Sequence, residues 1–191
     1  MNKTPLTSRL SPDEYVLWQG KPIKKAFFLK SVFNILLPIS IIWVAFDLTG
    51  IISIFEEGAD TAAFIMIPFF LLHLLPVWIY LGNIILAFSR YKNTEYVLTN
   101  KNLYIGGGIF AQEVTVRPLS YLSNLQTRVG LFDKMFHVGS IIVGETEKTN
   151  NLLSSGILSV DFVPDYEDVF KRIQSLQFGA ASDIYYPNNK R

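Results

Sequence analysis

Several sets of residues in this chain have types and spacings that chemistry could use. Asp133, His137 and Ser140 offer the acid, base and hydroxyl of an acyl-transfer triad. Gly106-Gly107-Gly108 offers a flexible backbone run of the kind that cradles phosphate. Lys101, Arg117, Arg128 and Lys134, with Lys92 upstream, offer cations for anionic headgroups or acidic partners. Asp47 and His73 lie in uncharged surroundings and could serve a proton or ion path.

Each set has a plainer reading. A triad also needs a nucleophile on a strained turn and an oxyanion hole, and neither has a signature here. The glycine run lacks the Lys-Ser/Thr of a P-loop and opens onto no helix, so it reads as a hairpin connection needing positive φ. With two histidines and no cysteine, a His-based metal cluster, thiolate ligation and disulfides fall away, and no cofactor is expected. From Arg90 onward 11 Lys/Arg face 10 Asp/Glu, which gives no basic field for nucleic acid. The four cations are scattered among acids and read first as a solvated surface. They stand as candidate lipid or partner contacts.

The elements that must position these residues fall into two regimes. Half of the 191 residues are apolar and the mean hydropathy is +0.29. Ser31 to Phe55 is broken only by Asp47, and Thr61 to Ser89 contains no charge. About 20 apolar residues suffice to cross a bilayer as a helix. The sequence therefore predicts two transmembrane helices, about 29–54 and 62–88, inside a membrane segment 26–90. Only five residues link them, so they should form an antiparallel hairpin, with mild kinks at Pro38, Pro68 and Pro76. Lys21, Lys24, Lys25, Lys30, Arg90, Lys92 and Lys101 flank the pair, while the link Glu56 to Asp60 holds three acids and no base. Basic residues stay inside. Both termini are expected in the cytoplasm, with the protein multi-pass in the cell membrane.

Within the spans, Asp47-Leu48-Thr49-Gly50 is expected near the outer end or opening the outer loop. His73 could pair with Asp47 across the hairpin in a structural role. Asn34 and Asn83 are expected to join helices by hydrogen bonds.

After Arg90 the period changes to that of strands. Runs at 94–98, 103–105, 113–117, 122–129, 139–143 and 157–163 are β-type, with Leu158, Val160 and Phe162 alternating with polar residues. Pro118 places its strand at an edge. Residues 145–155 read as an exposed loop. Val169, Phe170, Ile173 and Leu176 fall at helical spacing, giving a C-terminal amphipathic helix of about three turns. Residues 1–25 form an N-terminal segment, 91–178 the folded domain and 179–191 a loose tail. Five or six antiparallel strands and one capping helix suggest a pleckstrin-homology-like barrel or sandwich.

The motifs in this order resemble those of a bacterial PH-like membrane protein family (the YdbS/YdbT type). Tyr96-Val97-Leu98-Thr99-Asn100-Lys101-Asn102-Leu103-Tyr104-Ile105-x-x-Gly108 is similar to its Y-x-L-T-x-x-R-L-x-I-x-x-G signature. Pro118 to Leu125 and Arg128 to Ile141 resemble two further segments, and Asp13 to Pro22 resembles the family's E-x-x-L-x-x-G-x-P opening. Asn102 stands where arginine is usual and His137 where glycine is common. The resemblance implies an α+β membrane protein: a two-helix transmembrane hairpin and a cytoplasmic PH-like split β-barrel with a C-terminal capping helix. It implies no catalytic residue. The expected function is a non-catalytic, membrane-anchored interaction or assembly module. Its partners would be membrane lipids and a protein partner or second copy. An anionic-lipid-headgroup module and a small subunit of an oligomeric channel or transporter are the alternatives.

Overall fold

A computed structural model describes residues 6–56, 62–145 and 157–185. The chain divides into two compact units, Phe28–Phe88 and the chain on either side of it. The expected loop at 145–155 lies almost entirely outside the described residues.

Strand β1 (Val16–Gly20) precedes four helices: α1 (Lys24–Val32), α2 (Leu36–Glu56), α3 (Ala62–His73) and α4 (Leu75–Asn93). The break between α1 and α2 is set by Asn34. Its Nδ2 donates to the Ser31 carbonyl at 2.7 Å and its Oδ1 accepts from the Leu36 amide at 2.8 Å. One side chain thus closes one helix end and caps the next, so these bonds are local in sequence and do not join distant helices. Pro38 lies in the first turn of α2, where a missing N–H breaks no intrahelical bond. Asp47 sits well inside α2 and is only 2% exposed, so it neither opens the outer loop nor faces solvent.

Among the described residues, α2 is the one helix long and apolar enough to cross a membrane, and 11% of that stretch is buried within the protein. The second uncharged stretch is two helices, not one. Pro76 has no N–H to donate to the fourth residue back, and its ring crowds that carbonyl. The ladder slips there: the Val77 amide bonds the Leu74 carbonyl, three residues back, at 2.9 Å. The His73 carbonyl instead accepts the Trp43 indole N–H at 2.7 Å, and Leu71 accepts that of Trp78 at 3.0 Å. Side chains re-satisfy what the kink disturbs.

The other unit holds two antiparallel sheets. In the first, β1 pairs with β2 (Glu95–Thr99), β2 with β3 (Asn102–Gly107), and β3 with β4 (Glu113–Pro118). The second contains β5 (Gln126–Arg128), β6 (Val138–Glu145) and β7 (Ile157–Pro164) in that order, with the short helix α5 (Leu131–Met135) between β5 and β6. Strand β5 covers only three residues of the run expected at 122–129. Strand β1, absent from the strand pattern read in the sequence, pairs Gly20 with Tyr96. The apolar helices are therefore an insertion between two neighbouring strands of one sheet.

Helix α6 (Tyr166–Tyr185) runs past the tail expected from residue 179, because Ala180, Ala181 and Ser182 contain no helix breaker. Its stripe Val169 and Ile173 packs with Tyr96, Leu98, Leu103, Leu119, Leu122, Ile141, Val143, Val160 and Val163 in the main core. The opposite face of β2 and β3 buries Val97 and Tyr104 against Leu6, in the 3-10 turn Leu6–Arg9. All five residues of β2 are buried, as a central strand covered on both faces must be.

Candidate functional site

The signature residues have structural work that can be read atom by atom. Strand β7 bulges at Asp161-Phe162, where Phe162 takes φ 56°. A bulge leaves ladder groups unpaired. Here the buried Tyr96 hydroxyl accepts the Asp161 amide at 3.0 Å, and the Phe162 carbonyl accepts the Ile23 amide at 2.9 Å. Burial first, then the Asp161 charge, push the Tyr96 hydroxyl above its ordinary pKa, so it stays protonated. Thr99 Oγ1 accepts the amides of Lys101 and Asn102 and closes the β2–β3 turn. Glu14, from the opening motif, accepts hydrogen bonds from the Asn102 side-chain Nδ2 and from the Tyr104 hydroxyl, the latter at 2.7 Å. Burial and that carboxylate raise the Tyr104 pKa to about 12. Gly108, with φ 100°, makes the turn that β3 needs to return as β4.

A cleft of about 390 Å³ lies where α5 ends and α6 begins, lined by Val129, Asp133, Lys134, His137, Val138, Asp165, Tyr166, Glu167 and Asp168. His137 follows the α5 cap residue Phe136 and takes φ 53°, the left-handed conformation in which helices usually end on glycine. Asp165, which opens α6, also has φ 53°. Asp133 turns its carboxylate back to the Gly130 amide at 2.7 Å, completing the first turn of α5. The Tyr166 ring lies against Gly139 so closely that a Cβ there would come within 2.5 Å of it. Leu131 and Met135 are exposed one turn apart on α5.

A model of the bacterial PH domain matches residues 26–177. The chain belongs to the bacterial PH domain family. The match names the domain without distinguishing the YdbS/YdbT type, and no curated protein or solved structure matches the chain. As a bacterial PH domain, the chain is supported as an interaction or lipid-binding module.

Within this PH domain the four candidate cations lie on separate elements. Lys101 sits in the β2–β3 turn, 3.8 Å from Asp13 in an exposed pair, and Arg117 lies on edge strand β4 opposite Leu103. Arg128 is exposed on β5 opposite Ser140, and Lys134 is on α5. Lys134 alone of the four lines the cleft, where Asp133, Asp165, Glu167 and Asp168 outnumber it. The acids of the first turn of α6 also complement the helix dipole, which accounts for part of their presence. The sequence could not reveal this cleft, because it joins residues 129–138 to 165–168 across β6 and β7.

Of the triad residues, Asp133 caps α5 and Ser140 is buried in β6. Among the described residues no three His, Cys, Asp or Glu side chains are grouped to hold a metal. In the other unit, His73 Nδ1 meets Asp47 Oδ1 at 2.7 Å. The His73 ring stacks on Trp43 and Phe69, each at 5.3 Å between centroids. The second Asp47 oxygen is buried with no hydrogen-bond partner among the described residues.

Proposed function

We propose that the chain is a non-catalytic, membrane-anchored PH-like interaction module on the cytoplasmic face, and that its cleft receives a basic segment of a protein partner. The pairing of Gly20 with Tyr96 carries the anchor. A chain that leaves a sheet after β1 and returns to the adjacent strand must cross a bilayer an even number of times. An α2 crossing therefore implies a return through α3 and α4, kinked at Pro76, with both termini on one side. The flanking lysines and arginines favour the cytoplasm for that side. The two sheets and α6 suit a split barrel closed by its C-terminal helix.

The charge of the cleft supports a cationic occupant over an anionic headgroup. Acids surround Lys134, so a lipid phosphate there would meet repulsion, whereas a Lys or Arg would find several carboxylates. Leu131 and Met135 offer apolar contacts on the same short helix. Confinement to the membrane raises the effective concentration of any membrane-associated partner.

A photo-crosslinker at Leu131, used in native membranes, tests this. The expected result is a protein adduct lost in the double variant Glu167→Lys, Asp168→Lys. Adducts with lipid alone would support the headgroup-binding alternative and overturn the protein-partner reading.

A further inference from the structure

Among the described residues of the PH domain unit, Phe110 is the most exposed large apolar side chain, at 94%. It stands at the tip of the β3–β4 hairpin, between Gly107 and Glu113. The tip is tied down by its own backbone. Asn93, itself buried, donates from Nδ2 to the carbonyl of Gly108 at 3.0 Å and lies within 3.4 Å of those of Ile109 and Ala111. Ser89 donates from Oγ to the Ile109 carbonyl. Ser89 and Asn93 are four residues apart on α4 and so share a face.

Ser89 is also the last residue of the uncharged stretch that begins at Thr61, and Arg90 and Lys92 follow it. At 1.5 Å per residue, Asn93 lies only about 6 Å along the helix axis from Ser89. The headgroup layer outside the hydrocarbon is about 5–7 Å deep on each side. We propose that the β3–β4 tip is a membrane-contact site, in which Phe110 inserts at the headgroup–acyl boundary of the bilayer that holds the apolar helices. Arg90 and Lys92 lie at the level of the anionic headgroups. An aromatic ring is suited to that depth. The contact gives the domain a second attachment, so that its interaction surfaces are held at a fixed attitude to the lipid surface. This inference rests on the anchor reading above.

The absence of native cysteine makes the test clean. Single cysteines replace Phe110, Lys101 and Ile42 in the full chain, each carrying a bimane label, in liposomes of phosphatidylglycerol and phosphatidylethanolamine. Lys101 lies at the opposite end of β3, about 20 Å from the tip, and Ile42 is exposed on α2. Nitroxide lipids should quench the labels at 110 and 42 at least several-fold more than the label at 101. Iodide should quench most at 101. A label at 110 quenched by iodide like that at 101, or by neither agent, while 42 remains lipid-quenched, overturns the contact and leaves the anchor standing. Loss of lipid quenching at 42 as well overturns the anchor and the contact together.

Discussion

His137 shows what a departure from a motif costs at the scale of one residue. Its φ of 53° is free for glycine and costs other residues about 1 kcal/mol. His137→Gly is therefore expected to stabilise the domain by up to about 1 kcal/mol, read as a higher midpoint of thermal unfolding. An unchanged or lower midpoint would mean that the imidazole makes compensating contacts in the cleft. Asn102 is the second departure. It meets Glu14, so the arginine of the signature that this segment resembles would face a carboxylate from the opening motif, and that position is a strut between two chain segments. Asn102→Arg should add about 0.2–1 kcal/mol at low salt, a gain that shrinks as salt rises. A gain independent of salt would contradict an ion pair. Tyr96, Thr99, Leu103 and Gly108 likewise hold the bulge, the turn, the core and the hairpin. The signature legible in the sequence thus encodes the fold, and the cleft lies elsewhere.

At the scale of elements, alternation made β4 and β7 legible, while β2, a central strand buried on both faces, and β3 were legible as runs of β-formers on either side of a polar turn. Strand β1 escaped that pattern because Val16–Gly20 is short and its partner is at Glu95–Thr99, beyond the whole apolar segment. Helix α5 escaped it because five residues carry no helical period. The apolar run 61–89 was legible as apolar, but its division at Leu74 follows from one proline and the carbonyls that Trp43 and Trp78 then satisfy. Asp47 was misplaced because a carboxylate in an apolar helix suggests an end, whereas His73 supplies a partner within the unit. Removing that partner should be costly. His73→Leu leaves a buried carboxylate alone and is expected to destabilise the protein by about 3–5 kcal/mol in detergent unfolding. The double variant Asp47→Leu, His73→Leu should recover most of the loss. A double variant as unstable as the single one would contradict a mutually compensating pair.

For the whole molecule, the governing feature is that the apolar helices interrupt a sheet. They are an insertion between β1 and β2, so the apolar helices and the domain cannot be separated by cutting one linker. The segment before α1 completes the first sheet and, through Leu6 and Ile23, helps to cover the domain's cores. Truncation before Glu95 would strip β2 of a neighbour and expose Val97 and Tyr104. The proposed anchor is thereby an insertion within the PH domain's own sequence, between two paired strands.

The proposed membrane anchor requires the chain to cross the bilayer twice with its domain inside, and single-cysteine topology labelling tests this most directly. Cysteines at Ala59, between the two apolar stretches, and at Leu131, on the PH domain, are treated in intact cells with a membrane-impermeant maleimide. Ala59→Cys should react from outside, and Leu131→Cys only after permeabilisation. Reaction of both positions from the same side would contradict the account.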